Sequence, residues 1–337
     1  MSATPVGSSS PELTMAVLGC GTMGIAILSG ILSSLDEIQD ANAAKTASSG
    51  TSTPLYETAA TTRLPSRFIA CVRRPESAKK LKNTFARYLS AVTIAQNDNV
   101  ASAQKADVVL LACKPYMVKE VLSEPGMAAA LEGKLLISIL AGVTESQIET
   151  TLAAANNDSG APPRGCRVVR AMPNTASLIR ESMTVIGISN PPLDPDTLGL
   201  VTWIFKRIGD VVYLPPSTMD VCTSLCGSGP AFFALMLEAA IDGAVAMGLP
   251  RAEAQRMAAQ TMKGAAGLVL NGDHPALLRD KVSTPGGCTI GGLLVLEEGR
   301  VRGTVARAVR EATVVASQLG QGVQGVNGTR FPGTQLQ

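Results

Sequence analysis

Leu13-Thr14-Met15-Ala16-Val17-Leu18-Gly19-Cys20-Gly21-Thr22-Met23-Gly24 is the stretch on which the fold of this chain turns. Its first half is an apolar run short enough for a buried strand and bounded by a glycine. Residues 25–32, Ile-Ala-Ile-Leu-Ser-Gly-Ile-Leu, continue it as a helix. A G-x-G-x-x-G match alone is weak. Between a strand and a helix it has the context that a dinucleotide fingerprint requires. Gly19 permits the tight turn, Gly21 lets a pyrophosphate approach the backbone, and Gly24 lets helix and strand pack closely. The phosphates then rest on the helix N-terminus, whose free N–H groups and dipole favour an anion.

Working outward, residues 33–66 turn to Ser, Thr, Ala, Asn and Pro, a composition that cannot bury enough surface to order itself and reads as a surface insertion. The second strand, 68–72, ends in Arg73-Arg74. An NAD-preferring unit tends to carry an acidic residue there for the ribose 2′-hydroxyl. Two arginines suit a 2′-phosphate instead, each charge-assisted contact contributing ~1.5–3 kcal/mol, so NADP is favoured over NAD; the alternative is a solvated basic helix start. A helix over 77–89, a strand over 92–95, a helix over 99–103 and strands over 107–113 and 134–141 continue a doubly wound parallel sheet of near-continuous apolar strands. Lys114-Pro115, Ala141-Gly142 and Met172-Pro173-Asn174-Thr175 fall at strand ends, where a cofactor lies. Capping of the next segment accounts equally well for Asn174 and Thr175.

After a last strand over 210–214 the pattern is helical. One helix is expected over 219–226, then a sharp break at Gly227-Ser228-Gly229-Pro230, then a helix over 231–247 that is apolar around most of its circumference. Such a helix is buried on several sides, by its own domain or by a partner subunit. Further helices at 251–270, 275–281, 291–298 and 302–318 complete the expected class: an N-terminal Rossmann-like doubly wound sheet followed by an all-α C-terminal domain. The domain limits are a disordered N-terminus at 1–12, a dinucleotide-binding domain at 13–215, a helical domain at 216–319 and a disordered tail at 320–337.

Within the helical part, Val282-Ser283-Thr284-Pro285-Gly286-Gly287-Cys288-Thr289-Ile290-Gly291-Gly292 carries chemistry. Proline presets φ and the glycines reach left-handed conformations, so a tight turn forms whose N–H groups make an anion nest. A helix starting near Ile290 adds its positive end. A small carboxylate fits there, with the Thr284 and Thr289 hydroxyls on either side. An ordinary Gly-rich connector is the alternative.

Composition excludes several classes. A net charge of +2 with 17% charged residues leaves no electrostatic footprint for nucleic acid. At 3% aromatics, stacking platforms for single strands are unexpected. Apolar runs such as 135–143 fall short of the about 20 residues a membrane span needs, and neither a secretory nor a mitochondrial signal is legible at the start of the chain. Seven cysteines, an odd number, do not suggest a disulfide framework in a chain of 337 residues. A soluble, cytoplasmic protein is expected, without a metal site.

Taken together, GCGTMG (19–24), ACKP (112–115), VVRAMPNTA (168–176), GSGPAFF (227–233), DGAVAMGLPR (242–251) and HPALLRDKVSTPGGCTIGGL (274–293) resemble pyrroline-5-carboxylate reductases, in family order over about residues 13–319. The resemblance implies that Thr284, Gly286, Gly287 and Cys288 hold the carboxylate of a cyclic imine and that the Thr289 hydroxyl hydrogen-bonds its ring nitrogen. It implies that Gly19, Cys20, Gly21, Thr22, Met23 and Gly24 hold the pyrophosphate of NADPH or NADH, Arg73 and Arg74 the 2′-phosphate, and Asn99 the adenosine side. Ala112 and Lys114 fall on the ribose and nicotinamide side, and Asn174 is a further expected cofactor contact. Family members form dimers through the helical domain and rings of dimers; the product is L-proline.

The chemistry is consistent with that resemblance. Reducing a ketone needs a proton donor, commonly His or Lys, and His274 is the sole histidine here; followed by Pro275, it reads as a turn or capping residue. An iminium already carries its proton. Two other readings stay open. A β-hydroxy-acid dehydrogenase typically has a lysine on the first long helix of its second domain, whereas residues 230–248 have none. A nicotinamide-binding sensor without turnover is the other.

Overall fold

The computed structural model describes residues 12–47, 63–155 and 163–321, together with 323, 326, 328 and 329. The chain forms two compact units, Met1–Gly227 with Ala316–Val326, and Ser228–Val315 with Asn327–Gln337.

In the first unit β1 (Leu13–Leu18), α1 (Thr22–Ala47), β2 (Pro65–Val72), α2 (Pro75–Thr84), β3 (Val92–Gln96), α3 (Asn99–Lys105) and β4 (Val108–Leu111) alternate as the pattern demands. They are followed by the short helices α4 (Val118–Leu122) and α5 (Met127–Ala130), then β5 (Leu135–Ser138), α6 (Glu145–Ala155) and β6 (Arg167–Met172). β7 (Ser182–Gly187), α7 (Pro195–Lys206) and β8 (Gly209–Leu214) close the sheet, whose order is β3-β2-β1-β4-β5-β6-β7-β8. The order reverses between β1 and β4, the place where open α/β sheets bind ligands beyond their strand ends.

Along β1 the side chains alternate between two cores. Met15 and Val17 join Ile27, Leu28 and Ile31 of α1 on one face; Ala16 and Leu18 join Leu122, Met127 and Ile148 on the other. Each central strand is thus apolar on both faces, as a sheet covered by helices on both sides requires.

The sheet is parallel from β3 through β6, but β7 runs antiparallel to β6, and β8 lies parallel to β7. The sequence reading did not anticipate β7. Its direction follows from the short connection after β6, a 3₁₀ turn over Thr175–Ile179, which leaves no room for a crossover helix. Several boundaries also move. α1 extends to Ala47, so the expected insertion at 33–66 begins as helix; Asp36 accepts from Tyr88 and Arg87, and Glu37 from Arg180, which ties that extension to the unit. Residues 48–62 of that insertion lie outside the described residues, as do 1–11. Glu12, assigned to a disordered start, pairs with Arg67 at 2.8 Å.

The second unit contains α9 (Gly229–Ala246), α10 (Arg251–Leu270), α11 (Pro275–Val282), α12 (Cys288–Glu298) and most of α13 (Val301–Gly320). α8 (Met219–Cys222) precedes it, and the expected break at 227–230 is absent: the chain passes through a π-helical turn, Thr223–Ser228, straight into α9. Widening the helix accommodates Pro230, whose ring would clash with a carbonyl one regular turn back. The last helix also outruns the expected boundary. The Gly320 carbonyl accepts from Gln147 Nε2 at 2.7 Å and Val323 N–H donates to Gln318 O at 3.0 Å, so the start of the supposed tail is fixed structure.

Candidate active site

Two surfaces carry the candidate residues, one in each unit. In the α/β unit the loops after β1 and β4 meet. Gly19 has φ +79°, and a Cβ there would lie 2.6 Å from the Cys113 Cα, so only glycine fits. A Cβ on Gly24 would lie 3.0 Å from Val17, which shows why helix and strand can approach so closely. At Gly21, which is exposed, a Cβ would make only an ordinary contact, 3.9 Å from the Gly19 carbonyl oxygen. Thr22 and Met23 open α1 beside it, and the Cys20 N–H donates to Cys71 O at 2.8 Å. Burial raises the Cys20 thiol to about 12, with the neighbouring Cys71 adding to the rise, and burial raises Cys113 to about 11. The rim therefore presents no thiolate to an anionic ligand.

Ala112 follows β4, its N–H donating to Leu18 O at 2.9 Å, and Lys114 precedes the 3₁₀ turn Pro115–Met117. Arg73 and Arg74 are exposed beyond β2. Arg73 makes a long, exposed ion pair with Glu120 at 3.3 Å, a contact worth little in water. Arg74 occupies the N-cap position of α2. Asn99 begins α3 and donates to Glu124 Oε1 at 2.6 Å. Asn174 is more committed than its sequence position suggests. Its Oδ1 accepts from Ala176 N–H at 3.0 Å, capping the 3₁₀ turn, and its Nδ2 donates to Cys226 O at 3.1 Å.

In the helical unit the turn takes the form its residues specify. Gly287 N–H donates to Thr284 O at 3.0 Å, with Pro285 second and Gly286 third at φ +71°, the signature of a type II turn. A Cβ on Gly287 would fall 2.4 Å from Thr284 Oγ1, so glycine is required for space rather than for φ. α12 starts two residues earlier than expected, at Cys288, which puts Thr289 in its first turn. Gly287 provides no side-chain cap, so the first N–H groups of α12 keep their donors for an outside acceptor. Thr284 and Cys288 are exposed and Thr289 is half-buried. His274 Nδ1 accepts from Ala276 N–H at 3.2 Å and caps α11.

The surroundings of that turn are unusual for one copy of a protein. α11 and α12 bury no residue, and α9 and α10 bury one small residue each. Leu235 is 68% exposed, Leu270 82% and Val295 66%. Between α9 and α10 runs a groove of about 720 Å³ whose apolar wall includes Leu235, Leu237 and Ile241, with Glu238, Arg251 and Gln255 also lining it. The helical run Pro216–Ala246 is also long and apolar enough to cross a membrane by length and composition, which corrects the expectation that every apolar run is too short. The longer span arises because the helix is not broken at 227–230.

Residues 216–319 match the family model for pyrroline-5-carboxylate reductase dimerisation, and residues 14–142 match the model for NADP oxidoreductase, coenzyme F420-dependent. A pyrroline-5-carboxylate reductase of Lophium arboricola is 68% identical over 95% of this chain and 97% of its own length. That of Neurospora crassa is 59% identical over 97% of this chain and 99% of its own. The crystal structure of Plasmodium falciparum pyrroline carboxylate reductase with NADP bound superposes with a TM-score of 0.69 at 25% identity, over 91% of this chain and 98% of that one. With an α/β unit built for a dinucleotide and a helical unit that matches the dimerisation model, this chain belongs to the pyrroline-5-carboxylate reductase family.

Proposed function

We propose that this chain reduces L-1-pyrroline-5-carboxylate to L-proline, with NADPH preferred and NADH accepted. The observation that carries the substrate side is the Thr284–Gly287 turn running into an uncapped helix that starts at Cys288. It offers backbone N–H donors and a dipole to a small carboxylate, with Thr284, Gly286, Gly287 and Cys288 as its lining. The Thr289 hydroxyl, one residue into the helix, accepts from the iminium N–H of the ring. That proton is already on the substrate, so no acidic side chain is needed, in keeping with His274 being occupied as a cap.

The cofactor side fits a phosphorylated dinucleotide. The exposed Gly21 and the start of α1 suit a pyrophosphate, and two exposed arginines end β2. Gly19, Cys20, Gly21, Thr22, Met23 and Gly24 would cradle the pyrophosphate, Arg73 and Arg74 the 2′-phosphate, and Asn99, Ala112 and Lys114 the sugars and rings. NADPH supplies the hydride when bound. The chain contributes alignment, which is worth up to ~7–11 kcal/mol over a chance encounter.

We infer also that the chain works as a homodimer, assembled further into a ring of dimers, in the cytoplasm. The exposed apolar helices support the dimer. All seven cysteines are free thiols, which supports a reducing compartment. The match of 216–319 to a dimerisation model favours a protein partner over lipid for the run at 216–246.

The test is the loss of reduced-nicotinamide absorbance when L-pyrroline-5-carboxylate meets the purified protein with NADPH, and in parallel with NADH. Rapid oxidation is expected; none with either cofactor, from folded and oligomeric protein, would leave the sensor reading. Changing Arg73 and Arg74 together to Ala should raise KM for NADPH about tenfold or more and leave KM for NADH nearly unchanged. An equal loss with both cofactors would remove the 2′-phosphate assignment.

A further inference from the structure

In a regular α-helix the Cys226 carbonyl would accept from the N–H of residue 230. Residue 230 is proline, which has no N–H. The donor that reaches this carbonyl instead is Asn174 Nδ2, at 3.1 Å, from a loop 52 residues away. The orientation of the amide is fixed at both ends. Ala176 N–H can only donate, so Oδ1 faces it at 3.0 Å; Cys226 O can only accept, so Nδ2 faces that. The loop is held in turn, since Asn174 N–H donates to Ser182 Oγ at 3.0 Å and Asn174 O accepts from Ser177 Oγ at 2.6 Å.

We propose that Asn174 is a positioning residue: its side-chain amide replaces the helix hydrogen bond that Pro230 cannot make, and so fixes the π turn Thr223–Ser228 against the end of the sheet. That turn closes the first stretch of the α/β unit, and the amide ties it to the loop after β6. Proline is a common source of helix kinking; here one side chain from β6's trailing loop supplies a donor to the Cys226 carbonyl. The assignment competes with a direct contact between Asn174 and a cofactor. Its kinetic consequence rests on the reductase reading, but its structural consequence does not.

The experiment is a double-substitution cycle of Asn174→Ala and Pro230→Ala in the full-length protein. It is read by amide hydrogen exchange over 223–231, by kcat and by NADPH affinity from fluorescence titration. With Pro230 present, Asn174→Ala should speed exchange of the π turn and lower kcat, each about fivefold or more, while the NADPH dissociation constant stays within about twofold. With Pro230→Ala, residue 230 regains its donor, and the further loss on Asn174→Ala should shrink to less than about twofold. If Asn174→Ala does not fold, Asn174→Asp is used in both backgrounds, since it keeps the acceptor for Ala176 and replaces the donor with an acceptor oxygen that the Cys226 carbonyl repels. Equal losses in the two backgrounds would overturn the proposal. So would NADPH binding weakened about tenfold with exchange unchanged. A wild-type protein that oxidises no NADPH sinks the reductase reading, and the exchange measurements still decide on the clamp.

Discussion

Replacing Thr289 by valine is expected to lower kcat/KM for pyrroline carboxylate by about 10- to 150-fold, the factor that follows from losing one hydrogen bond to a charged group at ~1.5–3 kcal/mol. The change exchanges a hydroxyl for a methyl of the same shape in the first turn of α12. The turn that precedes it is held by Thr284, Pro285, Gly286 and Gly287, none of which is altered. KM for NADPH should therefore stay close to wild type, and Thr289→Ser should recover much of the loss. The expected fall lies mainly in kcat, because the hydroxyl holds the ring in the orientation for hydride transfer. Steady-state rates with both substrates varied provide the check; turnover of the valine protein within about twofold of wild type would end the role assigned to this hydroxyl.

Changing Leu235 to Asp is expected to disperse the oligomer. Leu235 is 68% exposed on α9 and lines the groove between α9 and α10, so within one copy the substitution removes little packing. Across a subunit interface it would bury an unpaired carboxylate, which costs about 3–5 kcal/mol and raises the dimer dissociation constant by roughly two to four orders of magnitude. Sedimentation at micromolar concentration should show the wild type as a dimer or a multiple of it and the variant shifted to monomer, with falling activity. An unchanged sedimentation coefficient in the variant would move the interface away from α9.

The α/β half was legible because its signals are local. The glycines at 19 and 24 each answer a separate steric need, and the apolar strands write their burial directly into composition. The site turn at 284–287 was legible for the same reason, since a Pro-Gly pair specifies its own hydrogen bond. What escaped were features decided at a distance. The continuation of α1 to Ala47 depends on partners such as Arg87, Tyr88 and Arg180, far along the chain. β7 is short, and only its pairing with β6 and β8 identifies it as a strand. Pro230 reads locally as a helix breaker, and nothing nearby in sequence reveals that Asn174 lies opposite the carbonyl it leaves free.

The course of α13 bears on how this chain could be divided. It starts among the helices of the second unit and ends in the first, where Gly320 sits against Gly142 so tightly that a Cβ on Gly320 would lie 3.0 Å from the Gly142 carbonyl oxygen. Topologically the helical segment is an insertion with both ends anchored in the α/β unit, not an appendage on its end. A fragment stopping at residue 227 would lack the strap supplied by residues 316–321. The modularity suggested by two separate family matches therefore stops short of separability, and a self-sufficient dinucleotide-binding fragment would need the end of α13 spliced back on.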